Sequence, residues 1–257
     1  MRNYQSLSDY LNEVINKVLH KRQGGALYEV VPEDEIKLRA SVKKLVKHPI
    51  LDPHGELAWE NFHNQDQGRT PWCVAYTIAH VLSYMLTAKY TKRITIEGYY
   101  IAGLLLEAGI MTKKGASIMR SVKYITGYSQ RIGIKDTEKN LYNIKDCEAH
   151  ERRATKDLLL KGFPVIFGDM IGSPMCDSRY VLRDVPTSRS GHAFMGAPSK
   201  KVITIEDGTE CLNGENSWDN YGIPYMNGKG RSGQFHIEVE HLETLFTPWI
   251  FLDVSKV

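Results

Sequence analysis

The chain has 257 residues, of which 42% are hydrophobic, with four cysteines and a formal net charge of +3. That length and apolar content suffice for a full core in one or two lobes. The charge is too small to demand nucleic acid as a partner, no apolar run approaches the roughly 20 residues of a membrane span, and the first residues lack the charged-then-apolar order of a secretion signal. Taken in chain order, Leu7, Tyr10, Leu11, Val14, Ile15, Val18 and Leu19 recur at helical spacing. They predict an amphipathic helix over 7–22, capped by Ser6 or Ser8 and ended at Gln23-Gly24-Gly25. Residues 36–46 fit two patterns: Ile36, Leu38, Ala40 and Val42 alternate as in a strand, while Leu38, Val42, Leu45 and Val46 suit a helix. Residues 73 to about 130 read as helical, beginning with the run from Cys73 to Leu86, apolar on nearly every side and therefore a buried helix. A short helix over 154–161 stops at Gly162. Strands are expected over 164–167, 192–197, 201–206, 234–239 and 249–254, with a turn in the region 207–213. There is no internal repeat. Helices first and strands afterwards imply an α+β chain: an extension over 1–50, a helical lobe over about 73–150 and an antiparallel β lobe over about 151–257.

The chemistry-bearing residues stand in order. Gln67 lies six positions before Cys73 in the run Gln67-Gly68-Arg69-Thr70-Pro71-Trp72-Cys73. His192 follows Cys73 by 119 residues, in Ser190-Gly191-His192-Ala193-Phe194, and Asn216 follows it by 143, in Asn216-Ser217-Trp218. A thiolate is the reactive form of cysteine, so a working Cys73 must shed its proton near neutral pH. The first turn of a buried helix favours that anion through the helix dipole, and an imidazole would hold the proton and return it to a leaving amine. Each residue also has an ordinary explanation: buried packing for Cys73, a core histidine for His192, side-chain-closed turns for Gln67-Gly68 and Asn216-Ser217. His80, inside the apolar helix, and His236, in the run Gln234–Val239, are candidates for a base by residue type alone.

The order Gln67, Cys73, His192, Asn216-Ser217-Trp218 resembles the active site of the papain-like cysteine peptidases. The run Gly115-Ala116-Ser117-Ile118 resembles a helix start of the prokaryotic and viral branch of that family, with Ser117 a suitable N-cap. The resemblance extends over about residues 51–257. It implies a two-lobed fold, a helical lobe and a barrel-like β lobe, with Cys73 and His192 on facing walls of a cleft. It further implies that Asn216 orients His192, that Trp218 shields their bond from water, and that the Gln67 side chain and the Cys73 backbone N–H bind the oxyanion. Gly115 and Gly191 are the expected substrate-binding positions. Thr70 stands where the family has a disulfide cysteine, and Pro71 where it has glycine. The stretch from His192 to Asn216 is longer than usual, with the extra residues expected around Asp207 to Asn213. The activity implied is hydrolysis of a protein or peptide substrate, without cofactor or metal. A transglutaminase-like acyl transfer or isopeptidase activity with the same triad, and a non-catalytic binding module of the same shape, are the alternatives.

Besides Cys73 the chain has Cys147, Cys176 and Cys211, an awkward number for a disulfide framework. That favours a reducing compartment, the cytoplasm of a cell or of a virus-infected host. No His/Cys cluster has zinc-ligand spacing, His236 and His241 lying five apart without a nearby cysteine. Residues 1–50 read as an extra helix packed on the body, a short inhibitory prosegment or a partner-binding arm.

Overall fold

A computed structural model describes residues 25–51, 65–171, 175–182, 190–218, 223 and 233–257. The helix expected over 7–22 lies outside these residues.

The first described segment crosses the molecule in extended pieces. Strand β1 (Ala26–Leu27) is followed by a 3-10 turn, strand β2 (Ile36–Lys37) and the one-turn helix α1 (Arg39–Val42). The ambiguous stretch 36–46 therefore divides: the alternating residues start a strand, and the helical spacing begins only after it. Helix α2 (Cys73–Tyr90) starts at Cys73 and has every residue through Ala88 buried. A helix apolar all round must sit inside the molecule, and this one does. Its polar side chains bond the chain that follows it. Ser83 Oγ accepts the Ile96 N–H at 2.8 Å and Thr87 Oγ1 accepts the Ile94 N–H at 2.9 Å. Thr91, at φ 50°, stops it in the left-handed conformation.

Helix α3 (Gly98–Glu107) packs on α2, and a small hairpin, β3 (Met111–Thr112) and β4 (Gly115–Ser117), leads into α4 (Ile118–Arg131). Ser117 caps α4 as expected, its Oγ accepting from the Arg120 N–H at 3.2 Å. The helical part ends here. Strands β5 (Ile134–Lys135) and β6 (Leu141–His150) already belong to the large sheet, so the assignment of 141–150 to the helical lobe is corrected. After α5 (Thr155–Leu160) come β7 (Val165–Ile171), β8 (Val181–Leu182), β9 (Ser190–Gly196), β10 (Ile203–Thr204), β11 (Glu210–Glu215), β12 (Gln234–Glu238) and β13 (Trp249–Lys256).

The strand order of the large sheet is β2-β6-β13-β7-β9-β11-β12-β8, with β5 on β6 and β10 on β11. Most pairs are antiparallel; β2 with β6 and β8 with β12 are parallel. Among the described residues this path is open and no closed barrel forms, while the helical part beside a large, mostly antiparallel sheet is the α+β arrangement expected. The residues between His192 and Asn216 include β10 inside the strand expected over 201–206, and β11 takes up most of the expected turn over 207–213. They build a β10–β11 hairpin around Gly208 (φ +84°), with Ile203 opposite Cys211.

Two cores share β9. Ala193 and Met195 pack with α2, α3 and α4, while Phe194 packs inside the β lobe with Phe167, Phe235 and Trp218. The period-2 alternation of a strand puts His192 on the face of Phe194, against Trp218.

Candidate active site

The first residue of α2 supplies the sulfur. Cys73 is completely buried, and neither it nor Cys147, Cys176 or Cys211 forms a disulfide among the described residues. Its Sγ accepts the backbone N–H of Gly25 at 3.2 Å. Burial pushes the thiol up, and backbone amides of Ala193, Gly25, Val74 and Ala26 draw it down by less. The Val74 amide belongs to the first helical turn, and the Ala193 amide is next in chain to His192.

The imidazole comes from β9 and its partner from the end of β11. His192 Nε2 lies 2.7 Å from Asn216 Oδ1. The same oxygen accepts the Ser217 N–H at 2.7 Å, and the Asn216 Nδ2 faces Met175 Sδ at 3.9 Å. A backbone N–H can only donate, so the atom facing His192 is the amide oxygen and Nε2 carries the proton. Nδ1 then holds the lone pair. It is buried without a hydrogen-bond partner among the described residues. Trp218 stacks on the imidazole, centroids 4.1 Å apart and planes 20° from parallel. Burial lowers His192 to about 4, the bond to Asn216 raising it only in part. Burial thus favours the neutral form of both groups, against the thiolate that the helix dipole and imidazole favour.

Gln67 is fixed on both sides of its amide. Its Nε2 donates to Thr70 O at 2.7 Å and its Oε1 accepts from Ser217 Oγ. Its backbone N–H donates to Ser217 O at 2.9 Å. An amide nitrogen has two hydrogens, so one remains for a ligand. Thr70 is thus a turn residue, its Oγ1 donating to Gln67 O at 2.6 Å. The neighbouring Gln65 is committed elsewhere: Nε2 donates to Ile96 O at 2.8 Å and Oε1 accepts the Gly98 N–H at 2.6 Å.

Gly115 and Gly191 lie against the N-terminal segment. β1 pairs in parallel with β4, Ala26 opposite Ala116, and the Ala116 N–H donates to Gly25 O at 2.8 Å. A Cβ on Gly115 would stand 1.7 Å from Gly25 O, one on Gly191 1.9 Å from Ala26 O, and one on Gly25 1.9 Å from Pro71 O. Three backbones approach as closely as glycine permits, and Gly25 and Ala26 lie directly over Cys73. Farther along, Glu29 bonds Ser117 Oγ and, at 3.0 Å, Arg120 Nε; Glu35 pairs with Lys123. Tyr28 meets Phe246 edge-on at 5.1 Å.

Of the residues expected from the sequence, Cys73, His192, Asn216, Gln67, Trp218, Gly115 and Gly191 fall in one neighbourhood. His236 is not there; it bonds Asn213 on the far strands. Sequence reasoning missed Gly25 and Ala26, whose glycine read only as a helix stop, and the roles of Ser217 and Met175 around Asn216 and Gln67. It also missed Glu215, which contacts His80 behind the site.

No protein-family model matches the chain, and a sequence search of curated proteins finds no match. Solved structures do match. Xylellain, a cysteine protease from Xylella fastidiosa, has a TM-score of 0.62 at 16% identity, over 93% of this chain and 100% of that one. Procathepsin B S9 from Trypanosoma congolense gives 0.59 at 14%, over 98% and 99%. Digestive procathepsin L 3 of the Tenebrio molitor larval midgut gives 0.58 at 12%, over 98% and 95%. The chain therefore has the α+β fold of the papain-like cysteine proteases. The sources are too varied to assign it to one branch of them.

Proposed function

We propose that this chain is a cysteine peptidase with Cys73 as nucleophile, His192 as base and acid, and Asn216 as the residue that orients the imidazole. One observation carries the reading: Asn216 Oδ1, held by Ser217, accepts the hydrogen bond of His192 Nε2–H and leaves the Nδ1 lone pair free on a strand whose next amide is directed at the Cys73 sulfur. That tautomer is the one a base must have to accept a thiol proton.

In the proposed cycle the thiol proton moves to His192 Nδ1 and the thiolate attacks the substrate carbonyl. The oxyanion is bound by the Cys73 backbone N–H and the second Gln67 Nε2 hydrogen. The imidazolium protonates the leaving amine, giving a thioester. His192 then deprotonates a water, which attacks the thioester and releases the acid with the thiol restored. Trp218 keeps water from the His192–Asn216 bond. Gly115 and Gly191 let the substrate backbone approach.

The N-terminal segment covers Cys73, and burial favours the neutral forms of both the thiol and the imidazole. We read residues 25–51 as the inhibitory part of the extension: Gly25 and Ala26 fill the place of a substrate, and their departure rehydrates the site and lets a thiolate–imidazolium pair form. Glu29 and Glu35, on the basic face of α4, and Tyr28, on Phe246, would hold the segment until then.

The test is turnover of a denatured protein substrate by the chain and by Cys73→Ala. Hydrolysis that disappears in a variant with an unchanged circular dichroism spectrum supports the proposal; hydrolysis that persists removes it. Adding a primary amine acceptor separates peptidase from transglutaminase-like transfer, which would yield the amide instead of the acid.

A further inference from the structure

The proposed cycle gives no task to two buried ionisable side chains beside it. His80 lies seven residues after Cys73 on α2, two turns along and on the same face. Glu215 is the last residue of β11 and directly precedes Asn216. Its partner on β9 is Met195, a member of the core around α2, and directly opposed residues of paired strands share a face. The Glu215 side chain accordingly points at α2, where its Oε1 lies 3.7 Å from His80 Nδ1. The two side chains are 2% and 4% exposed. Its other cross-strand partner, Gln234, is uncharged.

Glutamate is almost never buried so completely without a partner. Burial raises Glu215 well above the usual carboxylate range, and its Oε2 has no hydrogen-bond partner among the described residues. A carboxyl facing an imidazole keeps the pair neutral in either arrangement, with the proton on the acid or with both groups charged. Such a pair adds little to net stability over apolar residues of similar volume. Its distinguishing property is geometric. An apolar contact tolerates sliding, whereas a carboxyl and an imidazole facing each other in the interior have one favourable register.

That register matters here because each group is fixed to a reacting part. His80 rides on the helix that begins with Cys73. Glu215 is covalently joined to Asn216, whose backbone N–H is held by Gly233 O at 2.9 Å and whose oxygen sets the imidazole. We propose that His80 and Glu215 form a buried clamp between the helix that carries Cys73 and the strand that delivers Asn216, so that Glu215 is a positioning residue for His192. The proposal rests on the peptidase reading for its consequence in catalysis, and on geometry alone for its consequence in structure. Misplacing a reacting group by an ångström costs on the order of a hundredfold in rate.

The experiment uses the full chain and two readouts. The first is the imidazole N–H resonance of His192 Nε2 by nuclear magnetic resonance, which is slow to exchange with solvent while Asn216 holds it. The second is kcat and KM per titrated active site. In Glu215→Leu we expect N–H exchange at least tenfold faster and kcat at least tenfold lower, with KM within twofold. Glu215→Gln, which keeps shape and a polar group facing His80, retains both. The exchanged pair His80→Glu with Glu215→His recovers most of what Glu215→Leu loses. An unchanged Nε2–H and kcat in folded Glu215→Leu, whatever its melting temperature, would overturn the clamp and leave a merely structural pair. If Glu215→Leu does not fold, the exchanged pair decides: folded with a protected Nε2–H it supports the clamp, and folded with that proton lost it refutes it. A wild-type chain that hydrolyses no peptide overturns the peptidase reading instead, and the imidazole resonance still judges the clamp.

Discussion

Replacing Gly25 by alanine should unlock the intact chain. The new methyl would stand 1.9 Å from Pro71 O, 2.4 Å from its carbonyl carbon and 2.7 Å from its Cα, all backbone atoms that cannot rotate aside. The segment must therefore lift off Cys73 or shift along β4. Forcing one extra carbon into a packed interior typically costs about 1–3 kcal/mol. At about 1.4 kcal/mol per factor of ten, the closed-to-open balance should move by about 5- to 150-fold. While most molecules remain closed, activity follows the open fraction, so the unprocessed chain should gain by that factor. Gly115→Ala is the control. Its methyl would stand 1.7 Å from Gly25 O at a φ of +112°, but the same methyl obstructs any backbone that takes the segment's place, so no gain in turnover is expected. The assay is the rate of Cys73 alkylation by iodoacetamide, read on intact mass so that only uncut chains count, beside hydrolysis of a fluorogenic peptide. If Gly25→Ala folds and both rates stay within twofold of wild type, the segment does not gate the site.

Other outcomes follow from the same contacts. His192→Ala removes base and acid together and should lower kcat by about a hundredfold to ten-thousandfold, whereas Asn216→Ala only loosens the imidazole and should cost less; the reverse order in steady-state kinetics contradicts the assignment. Gln67→Ala should cost about a hundredfold to a thousandfold in kcat with little change in KM. Gln65→Ala should lower the melting temperature instead, because that amide holds Ile96 and Gly98; a large kcat defect there would move the oxyanion site. His192 and His150 are each lowered by burial to about 4, so the unfolded chain binds more protons than the folded one between about pH 6.5 and 4. Their stabilisation is fully present above that window and lost as the pH falls through it, at most about 3 kcal/mol for each. Half-buried Glu148 and buried Glu215, both raised, oppose that slope, so the check is a difference: His150→Gln melts should fall less from pH 7 to pH 4.5 than wild-type melts, and parallel curves would refute it.

How much could be read from the residues varied with the type of signal. The buried helix at Cys73 was plain because sixteen consecutive residues are buried and the composition shows it on every face. Gln67, Cys73, His192 and Asn216 were legible as a group by their order along the chain, since each alone has an ordinary explanation, and the structure brings them into one neighbourhood. The strand Leu141–His150 was not. It carries Lys145, Asp146, Glu148 and Asn143 among its apolar residues, and a central position between β2 and β13 overrode that polar composition. Strand β10 falls within the strand expected over 201–206, but β11 was hidden for a similar reason, since Gly208 and Asn213 read as turn residues while the pairing of β11 with β9 and β12 fixes it as a strand. The position of Gly25 was beyond local reading. Its need for glycine arises from Pro71, 46 residues away, and only the folded chain brings them together. The clamp partners Glu215 and His80 are 135 residues apart and belong to no local pattern.

The central claim is that Cys73 is the nucleophile of a thiol peptidase, held closed by residues 25 and 26. Mass spectrometry after exposure to a peptidyl epoxide, with and without the Gly25→Ala substitution, tests it most directly. The account predicts one adduct, on the peptide containing Cys73, forming slowly on the intact wild-type chain and faster on Gly25→Ala. No adduct on either chain, or labelling that falls equally on Cys147, Cys176 or Cys211, would contradict it.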